Sequence, residues 1–314
     1  MNGDLLSRIA ETLFWTGRYM ERADDTARLV DVYLHRMLGD PVTGSAGVAS
    51  ALFGILGVEP GEDADLDAGL ALFRLAYDDT SPSAISGAVV AARTGARGVR
   101  EIISSEMWRC LNVTTHELTR QRRAADRLGP HVFLRFISER AALFFGLADS
   151  TMSHDDAWRF LLLGRSLERA DMTARLLLAR MSAPQELGWP VLLRACGAYE
   201  SFIRTHGGAT EPSRVAEFLL LDRLFPRSVL CSLIIAEDCL TALNPGPVRM
   251  GMDDSARRPI GRLRTTLEYT DPHQLPVQLP ALLVALQLAC VDACEAITTQ
   301  YFQYEAQVAW KQGG

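Results

Sequence analysis

The chain has 314 residues, enough for one large domain or two of ordinary size. Hydrophobic residues make up 48% and charged residues 22%, a composition that excludes disordered and fibrous proteins. The formal net charge of −6 argues against a nucleic-acid partner. Lysine occurs once, at Lys311, so chemistry that needs a lysine amine, such as P-loop nucleotide binding or a Schiff base, has almost no place in this chain.

Nearly every segment predicts helix, because Ala, Leu, Arg and Glu dominate and apolar residues recur at intervals of three and four. The predicted helices cover residues 5–38, 66–77, 83–110, 130–151, 154–182, 187–205, 212–222, 226–243 and 273–308. Breaks fall at 39–47, 59–65, 205–213 and 244–259, and we interpret the last as a surface loop in preference to a mobile lid. The predicted fold is therefore all-α.

The sequence shows no strong pattern for export, for a membrane span or for a metal site. The first residues lack the pattern of a signal peptide, and the most apolar stretch, residues 279–291, is too short to span a bilayer. Cys290 and Cys294 are four apart on a predicted helix, but no histidine lies near them in sequence. The motifs GxGxxG, GxSxG and HExxH do not occur. We expect a cytoplasmic protein with no membrane partner, no metal and no cofactor.

One thirteen-residue motif occurs twice. Residues 17–29 read GRYMERADDTARL and residues 164–176 read GRSLERADMTARL, identical at ten positions and separated by 147 residues. A fainter similarity links residues 72–93 with residues 218–239, and both predict a short helix, a break with proline and a long helix. We predict a pseudo-twofold helical bundle built from an internal duplication, with one repeat in 1–152 and the other in 153–314, packed as one globular unit.

Each motif helix carries an apolar stripe and a charged stripe. The charged residues are the candidate site: Arg18, Glu21, Arg22, Asp24 and Arg28 in the first motif, and Arg165, Glu168, Arg169, Asp171 and Arg175 in the second. Leu161, Met172 and Leu176 fall among the second set of charges, which indicates a covered face. Because covered charges must be paired, we predict a buried or half-buried Arg/Glu/Asp network at the repeat interface.

Helical spacing allows pairs such as Arg18–Glu21 and Asp24–Arg28 within the first motif. Two interpretations of the network stay open: an ionic lock that fixes how the halves dock, or a pocket of guanidinium groups for a carboxylate or phosphate ligand. A Glu139–Arg140 pair is a weak further candidate for the network.

The segments LFWTGRYMERAD (13–24), FLLLGRSLERAD (160–171), SSEMWRCLN (104–112) and GRLRTTLEYTDP (261–272) resemble the alpha-E family over essentially the whole chain. The resemblance implies a helical domain with a Glu-Arg motif, usually in tandem duplication. The motif residues carry over as Glu21/Arg22 and Glu168/Arg169. Members of the family are encoded beside, or fused to, circularly permuted ATP-grasp proteins, together with transglutaminase-like proteins and a proteasome-like peptidase.

Two functions follow from the resemblance and the residues. The first is an accessory or scaffold subunit that partners an ATP-grasp ligase in a peptide synthesis or modification system. The second is an enzyme or small-molecule binder whose arginines hold an anionic small molecule or peptide, with Glu21 or Glu168 as general base if burial raises its pKa. The sequence assigns no catalytic residue.

Overall fold

The structure, a computed structural model, describes residues 7–39, 45–59, 61, 66–182, 188–208, 210–245 and 254–302. Every regular element in these ranges is helical, so the predicted all-α fold is confirmed. Residues 246–253 of the predicted loop and 303–308 of the last predicted helix lie outside the described residues. The division into repeats at 152/153, which falls between two helices, stays a prediction.

The helices of the described ranges are, in chain order, α1 (Ser7–Gly39), α2 (Ser45–Leu56), α3 (Ala68–Leu72), α4 (Ile85–Arg97), α5 (Ser105–Leu128), α6 (His131–Thr151), α7 (Asp156–Ser182), α8 (Trp189–Ala195), α9 (Tyr199–His206), α10 (Pro212–Leu221), α11 (Val229–Leu243), α12 (Arg257–Glu268) and α13 (Leu275–Ile297). Short π-helical segments follow α3, at Phe73–Tyr77, and α13, at Thr298–Phe302. The two helices that carry the repeated motif are α1 and α7, and both are long.

Several predicted boundaries are wrong. The predicted helix 83–110 is two helices, because the Ser104 side chain caps a new helix by accepting a hydrogen bond from the backbone N–H of Met107 at 3.2 Å. The predicted helix 187–205 breaks at Gly197, whose φ of 60° ends α8. Helices α2 and α12 were not predicted. Asp254 accepts from the backbone N–H of Arg257 at 2.9 Å, so α12 begins inside the segment interpreted as loop.

Helices α1 and α7 cross in direct backbone contact. A Cβ atom added to Gly17 would lie 2.1 Å from the carbonyl oxygen of Leu161, and one added to Gly164 would lie 2.0 Å from the carbonyl oxygen of Phe14. No side chain fits at either position. Because both glycines open the repeated motif, this crossing places the charged residues of one motif directly opposite those of the other.

Four further helices flank this crossing. Helices α4 and α6 pack on α1, and α11 and α13 pack on α7. One continuous set of buried apolar side chains joins them, with Phe14, Tyr33 and Phe144 among the largest that are fully buried. The two motif helices are therefore the centre of the fold, and the charged network has to lie inside it.

Residues 275–302 form one helical stretch that is long and apolar enough to cross a membrane. This stretch is longer than residues 279–291, which on their own are too short to span a bilayer, because the helix begins at Leu275 and continues through a π-helical end to Phe302. Core helices of soluble proteins meet the same criteria but are mostly buried, whereas 33% of this apolar window is buried in the fold. Leu283, Leu286 and Ile297 lie on the buried side. The helix is weak evidence for a membrane span, and the cytoplasmic location stays a prediction.

Candidate functional site

Glu21 on α1 is the centre of a first cluster of charges, and its side chain is completely buried. Its Oε1 atom accepts a hydrogen bond from Nε of Arg169 at 2.6 Å, and its Oε2 atom accepts one from Nε of Arg165 at 3.3 Å. Both arginines lie on α7. A third guanidinium group, that of Arg227 before α11, lies 2.9 Å from Oε1. Three cations thus offset the cost of burying one carboxylate.

Arg227 extends the first cluster to two more carboxylates of α1. It forms ion pairs with Asp24 and Asp25, and Asp24 pairs with Arg28 one turn along the helix at 3.0 Å. The backbone carbonyl of Arg227 accepts a hydrogen bond from the hydroxyl group of Thr173 on α7 at 3.0 Å. The segment before α11 is therefore tied to both motif helices.

Glu168 on α7 is the centre of a second cluster. Its Oε2 atom accepts from Nε of Arg18 at 2.6 Å, and its Oε1 atom accepts from Nε of Arg22 at 2.6 Å. A terminal nitrogen of Arg22 also donates to Oε2 at 3.1 Å. Nearby, Nε of Arg175 donates to Asp171 at 2.9 Å. Both arginine contacts of Glu168 have counterparts in the first cluster at the same 147-residue offset.

The two clusters differ in membership. The first cluster comprises Glu21, Asp24, Asp25, Arg28, Arg165, Arg169 and Arg227, and the second comprises Arg18, Arg22, Glu168, Asp171 and Arg175. All ten candidate residues of the two motifs belong to one cluster or the other. Each glutamate is held mainly by arginines of the opposite helix, so the network bridges α1 and α7.

Both glutamates are held in the ionised state. Burial alone would raise the pKa of each carboxyl group, but the surrounding arginines outweigh it and lower the pKa of Glu21 and of Glu168 to about 2. A general base that works near neutral pH needs a pKa close to that pH. The raised pKa that the general-base hypothesis required is therefore contradicted for both residues.

Asp25 behaves in the opposite way. Burial raises the pKa of its carboxyl group to about 8, and repulsion from Glu21 and Asp24 acts in the same direction, against the attraction of Arg227. Burial, with the repulsion of Arg169, also lowers the pKa of Arg165 to about 10. Within the first cluster, burial thus favours the protonated form of Asp25, whereas the arginines keep Glu21 ionised.

Pairing across the helices replaces part of the pairing expected within them. Arg18, expected beside Glu21, donates instead to Glu168 of the other helix. The weak candidates Glu139 and Arg140 do not join the network. Glu139 is exposed and lies 3.6 Å from Arg135, while Arg140 donates to the hydroxyl group of Thr114 on α5.

Two members of the first cluster were missed by sequence reasoning. Arg227 is 203 residues from Asp24, outside both motifs, and only the fainter similarity between residues 72–93 and 218–239 drew attention to its segment. Asp25 lies inside the first motif, but the second motif has Met172 at that position, so comparison of the copies passed it over.

Within the described ranges, no three His, Cys, Asp or Glu side chains group as a metal site. The Sγ atom of Cys294 instead accepts a hydrogen bond from Arg18 at 3.0 Å. Burial raises the pKa of the Cys290 and Cys294 thiols, so both are neutral near pH 7. Their contact with the second cluster is one of packing and hydrogen bonding.

The protein is thus an all-helical protein in which a buried ionic network joins the two copies of the Glu-Arg motif. The chain belongs to the Alpha-E family, described as a predicted alpha-helical domain with a conserved ER motif, whose model matches residues 5–302. The two copies of the repeated motif contain the Glu-Arg dipeptides Glu21-Arg22 and Glu168-Arg169.

Relatives of the chain occur in mycobacteria. An uncharacterized protein of Mycobacterium bovis and one of Mycobacterium tuberculosis strain CDC 1551 are each 26% identical to it in an alignment of 296 residues. The match covers 85% of this chain and 33% of each relative. One of Mycobacterium tuberculosis strain H37Rv is 25% identical with the same coverage. The chain thus spans about a third of the length of these relatives. No solved structure matches it.

Proposed function

We propose that this chain is an accessory helical protein that partners a circularly permuted ATP-grasp ligase in a peptide synthesis or modification system. In this proposal the ligase activates a carboxylate with ATP, and the chain docks the ligase or presents the acceptor peptide. A transglutaminase-like protein and a proteasome-like peptidase are further proposed partners. The observation that carries the proposal is an apolar face of α13 that the described residues leave uncovered.

This docking face consists of five residues at alternating intervals of four and three, which lie along one side of α13: Val277, Ala281, Val284, Leu288 and Val291. Val277 is 85% exposed and Leu288 is 60% exposed. The opposite side of the same helix is buried, for example through Leu283 and Leu286. Because a helix that is apolar all round is normally buried all round, the outer side fits a protein surface.

A groove of about 550 Å³ runs beside the docking face, between α12 and α13. Leu263 and Leu282 line its floor, and Arg258, Arg262 and Asp292 add charged groups to its walls. The groove is therefore complementary to an apolar side chain of a partner with an acidic residue beside it, since the apolar side chain would meet the leucines and the acidic residue would meet the arginines.

The lengths of the relatives favour a large protein as the occupant. In the mycobacterial proteins, the region similar to this chain is a third of the polypeptide, so it works there attached to a much larger remainder. The family resemblance makes a fused or neighbouring ATP-grasp protein the candidate for that remainder. The lowered pKa of both glutamates supports an accessory role over catalysis by a glutamate base.

Co-purification with a circularly permuted ATP-grasp protein of the same organism tests the proposal. We expect a complex on size-exclusion chromatography at micromolar concentration, lost in Leu288→Glu and Val284→Glu. Leu143→Glu is the matched control, because Leu143 is a partly exposed leucine on α6, away from the docking face. The control variant should keep the complex.

Three results would overturn the proposal. They are the absence of a complex with and without ATP, a homodimer of this chain that Leu288→Glu dissociates, and flotation of the chain with phospholipid vesicles that the same substitution abolishes. The last two would assign the docking face to a second copy or to a bilayer.

A further inference from the structure

The first and second clusters differ at one corner. The segments before α4 and α11 match when they are aligned on the first residue of each helix. Pro82 and Pro226 are each three residues before the helix, and Ser83 and Arg227 are each two residues before it. In the first cluster this position supplies an arginine whose guanidinium group reaches three carboxylates. In the second cluster the same position is a serine.

A cavity occupies the place left by the shorter side chain. It has a volume of about 250 Å³, and its walls include Arg18, Arg22, Thr26, Ser83, Asp171 and Arg175. This volume is small beside a typical ligand pocket of about 300–1,000 Å³, so it suits a small polar group or the end of a longer molecule.

The charge of the second cluster favours an anion in this cavity. Three arginines face two carboxylates, which leaves a net charge of +1. The second motif has Met172 where the first has Asp25, so one of the carboxylates that bind Arg227 has no counterpart. A bound cation would raise the net charge to +2 in a largely buried site, whereas a singly charged anion would balance it.

Hydrogen-bonding capacity leads to the same conclusion. Arg22 gives its Nε and one terminal nitrogen to Glu168, and Arg175 gives its Nε to Asp171. Each guanidinium group has five N–H donors, so both arginines retain donors beyond these contacts. Both oxygens of Glu168 already accept hydrogen bonds. The cavity therefore offers more donors than acceptors.

The hydroxyl group of Thr26 is an independent indication of a ligand. Thr26 is completely buried and lines the cavity, and among the described residues its Oγ1 atom has no hydrogen-bond partner. Its counterpart at the 147-residue offset, Thr173, donates to the backbone carbonyl of Arg227 at 3.0 Å. A buried hydroxyl group without a partner is costly, and a ligand in the cavity would supply one.

We propose that the cavity between Ser83, Arg22 and Arg175 binds a small oxyanion, namely a carboxylate or phosphate group. The guanidinium groups of Arg22 and Arg175 donate hydrogen bonds to oxygens of the anion, and the hydroxyl groups of Thr26 and Ser83 complete the site. The site belongs to one half of the molecule only, because Arg227 closes the matching place in the other half. It does not depend on the proposed ATP-grasp partnership, and binding is measured on this chain alone.

Isothermal titration calorimetry with sodium acetate and with sodium phosphate, in chloride buffer, measures the binding. Acetate binding alone identifies a carboxylate site, and phosphate binding alone identifies a phosphate site. Methylguanidinium is the probe of opposite charge. We expect at least one anion to bind and methylguanidinium not to bind.

Three variants locate the site. Ser83→Arg gives the second cluster an arginine at the position of Arg227 in the first cluster. We expect this arginine to fill the cavity and abolish anion binding while the protein stays folded. Arg175→Gln should weaken binding about tenfold, the loss expected for one charge-assisted hydrogen bond. Arg28→Gln is the matched control, because Arg28 pairs with Asp24 as Arg175 pairs with Asp171, in the cluster that Arg227 closes. It should leave the affinity unchanged within about twofold.

Circular dichroism and thermal unfolding of each variant show whether a loss of binding reflects a loss of fold. The proposal is wrong if neither anion binds the folded wild-type chain, if methylguanidinium binds in their place, or if Arg28→Gln weakens binding as much as Arg175→Gln. Undiminished anion binding by folded Ser83→Arg would also exclude the site.

Discussion

The carboxylate of Glu21 and the guanidinium group of Arg169 lie 2.6 Å apart across the crossing of α1 and α7, with the glutamate fully buried. The reciprocal pair, Glu168 and Arg22, lies at the same distance in the second cluster. The Glu-Arg pairs of the motif thus connect the two helices crosswise, with each glutamate bound to the arginine that follows the other glutamate. This crosswise arrangement predicts that the motif locks the two helices together, and the second cluster also lines a cavity.

Replacing a motif glutamate should destabilise the fold unequally. Glu21→Gln leaves three guanidinium groups around a neutral amide in a closed site, so we expect a loss of about 3–5 kcal/mol in the free energy of unfolding. Glu168→Gln should cost less, because two arginines contact Glu168 and its cluster opens onto a cavity. Urea unfolding monitored by circular dichroism measures both. Glu139→Gln, at an exposed residue of α6, is the control and should change stability by less than about 0.5 kcal/mol.

The lock would be contradicted if Glu21→Gln cost no more than the Glu139 control. Since Arg227 meets Asp24 and Asp25 as well as Glu21, a second variant, Arg227→Gln, checks the same cluster from the cationic side. It should also cost several kcal/mol, because it leaves carboxylates buried without their partner.

The glycines at the helix crossing should be intolerant of alanine. Gly17→Ala and Gly164→Ala would each bring a Cβ atom to about 2 Å from a backbone carbonyl oxygen, so α1 and α7 would have to separate. We expect each to lower the free energy of unfolding by at least about 2 kcal/mol. Gly146→Ala on α6, where nothing lies within 4 Å of the added atom, should stabilise the protein by up to about 1 kcal/mol. Equal effects at Gly17 and Gly146 would show that the close crossing is absent.

The sequence predicted α1, α7 and the charged residues of the motif well, because neither signal depends on how the helices pack. Helical periodicity is visible within a few turns of chain, and the repeat is visible when residues 17–29 are compared with residues 164–176. Both place Glu21 and Glu168 on a charged stripe. Spacing alone paired Arg18 with Glu21, since they are neighbours on one helix. The close approach at Gly17 and Gly164 brings a better-placed carboxylate from the other helix, and only the tertiary structure reveals that.

Arg227 and the cavity at Ser83 were beyond local reasoning for a different reason. Their role depends on where the segments before α4 and α11 pack against the motif helices, more than 50 residues away in sequence from the nearest motif. The break at Ser104 and the start of α12 were missed because each is marked by one side-chain hydrogen bond to a backbone N–H, from Met107 to Ser104 and from Arg257 to Asp254. Serine and aspartate also occur inside helices, so neither residue alone predicts a helix start.

Acid should weaken the lock through its glutamates. The pKa of Glu21 and of Glu168 is lowered to about 2, below the ordinary value of 4.5, so their contribution to stability is complete above pH 4.5 and is lost as the pH falls toward 2. We expect the free energy of unfolding to fall by a few kcal/mol between pH 5 and pH 3. Glu168→Gln removes one of the two groups and should make this decline shallower, whereas Glu139→Gln should not. The same decline in both variants would show that other groups cause it.

Asp25 should make the free energy of unfolding fall as the pH rises, which is the opposite of the effect of the two glutamates. Its pKa is raised from 3.8 to about 8, so the folded state binds a proton that the unfolded state has released. The contribution of this group is therefore fully present below about pH 4 and declines as the pH rises to about 8. Asp25→Asn mimics the protonated form, and its free energy of unfolding should be flatter than that of the wild type between pH 5 and pH 8.5. Urea unfolding at four pH values across that range measures the two slopes. Parallel slopes would show that Asp25 is ionised in the folded protein throughout, with the charge of Arg227 outweighing the cost of its burial.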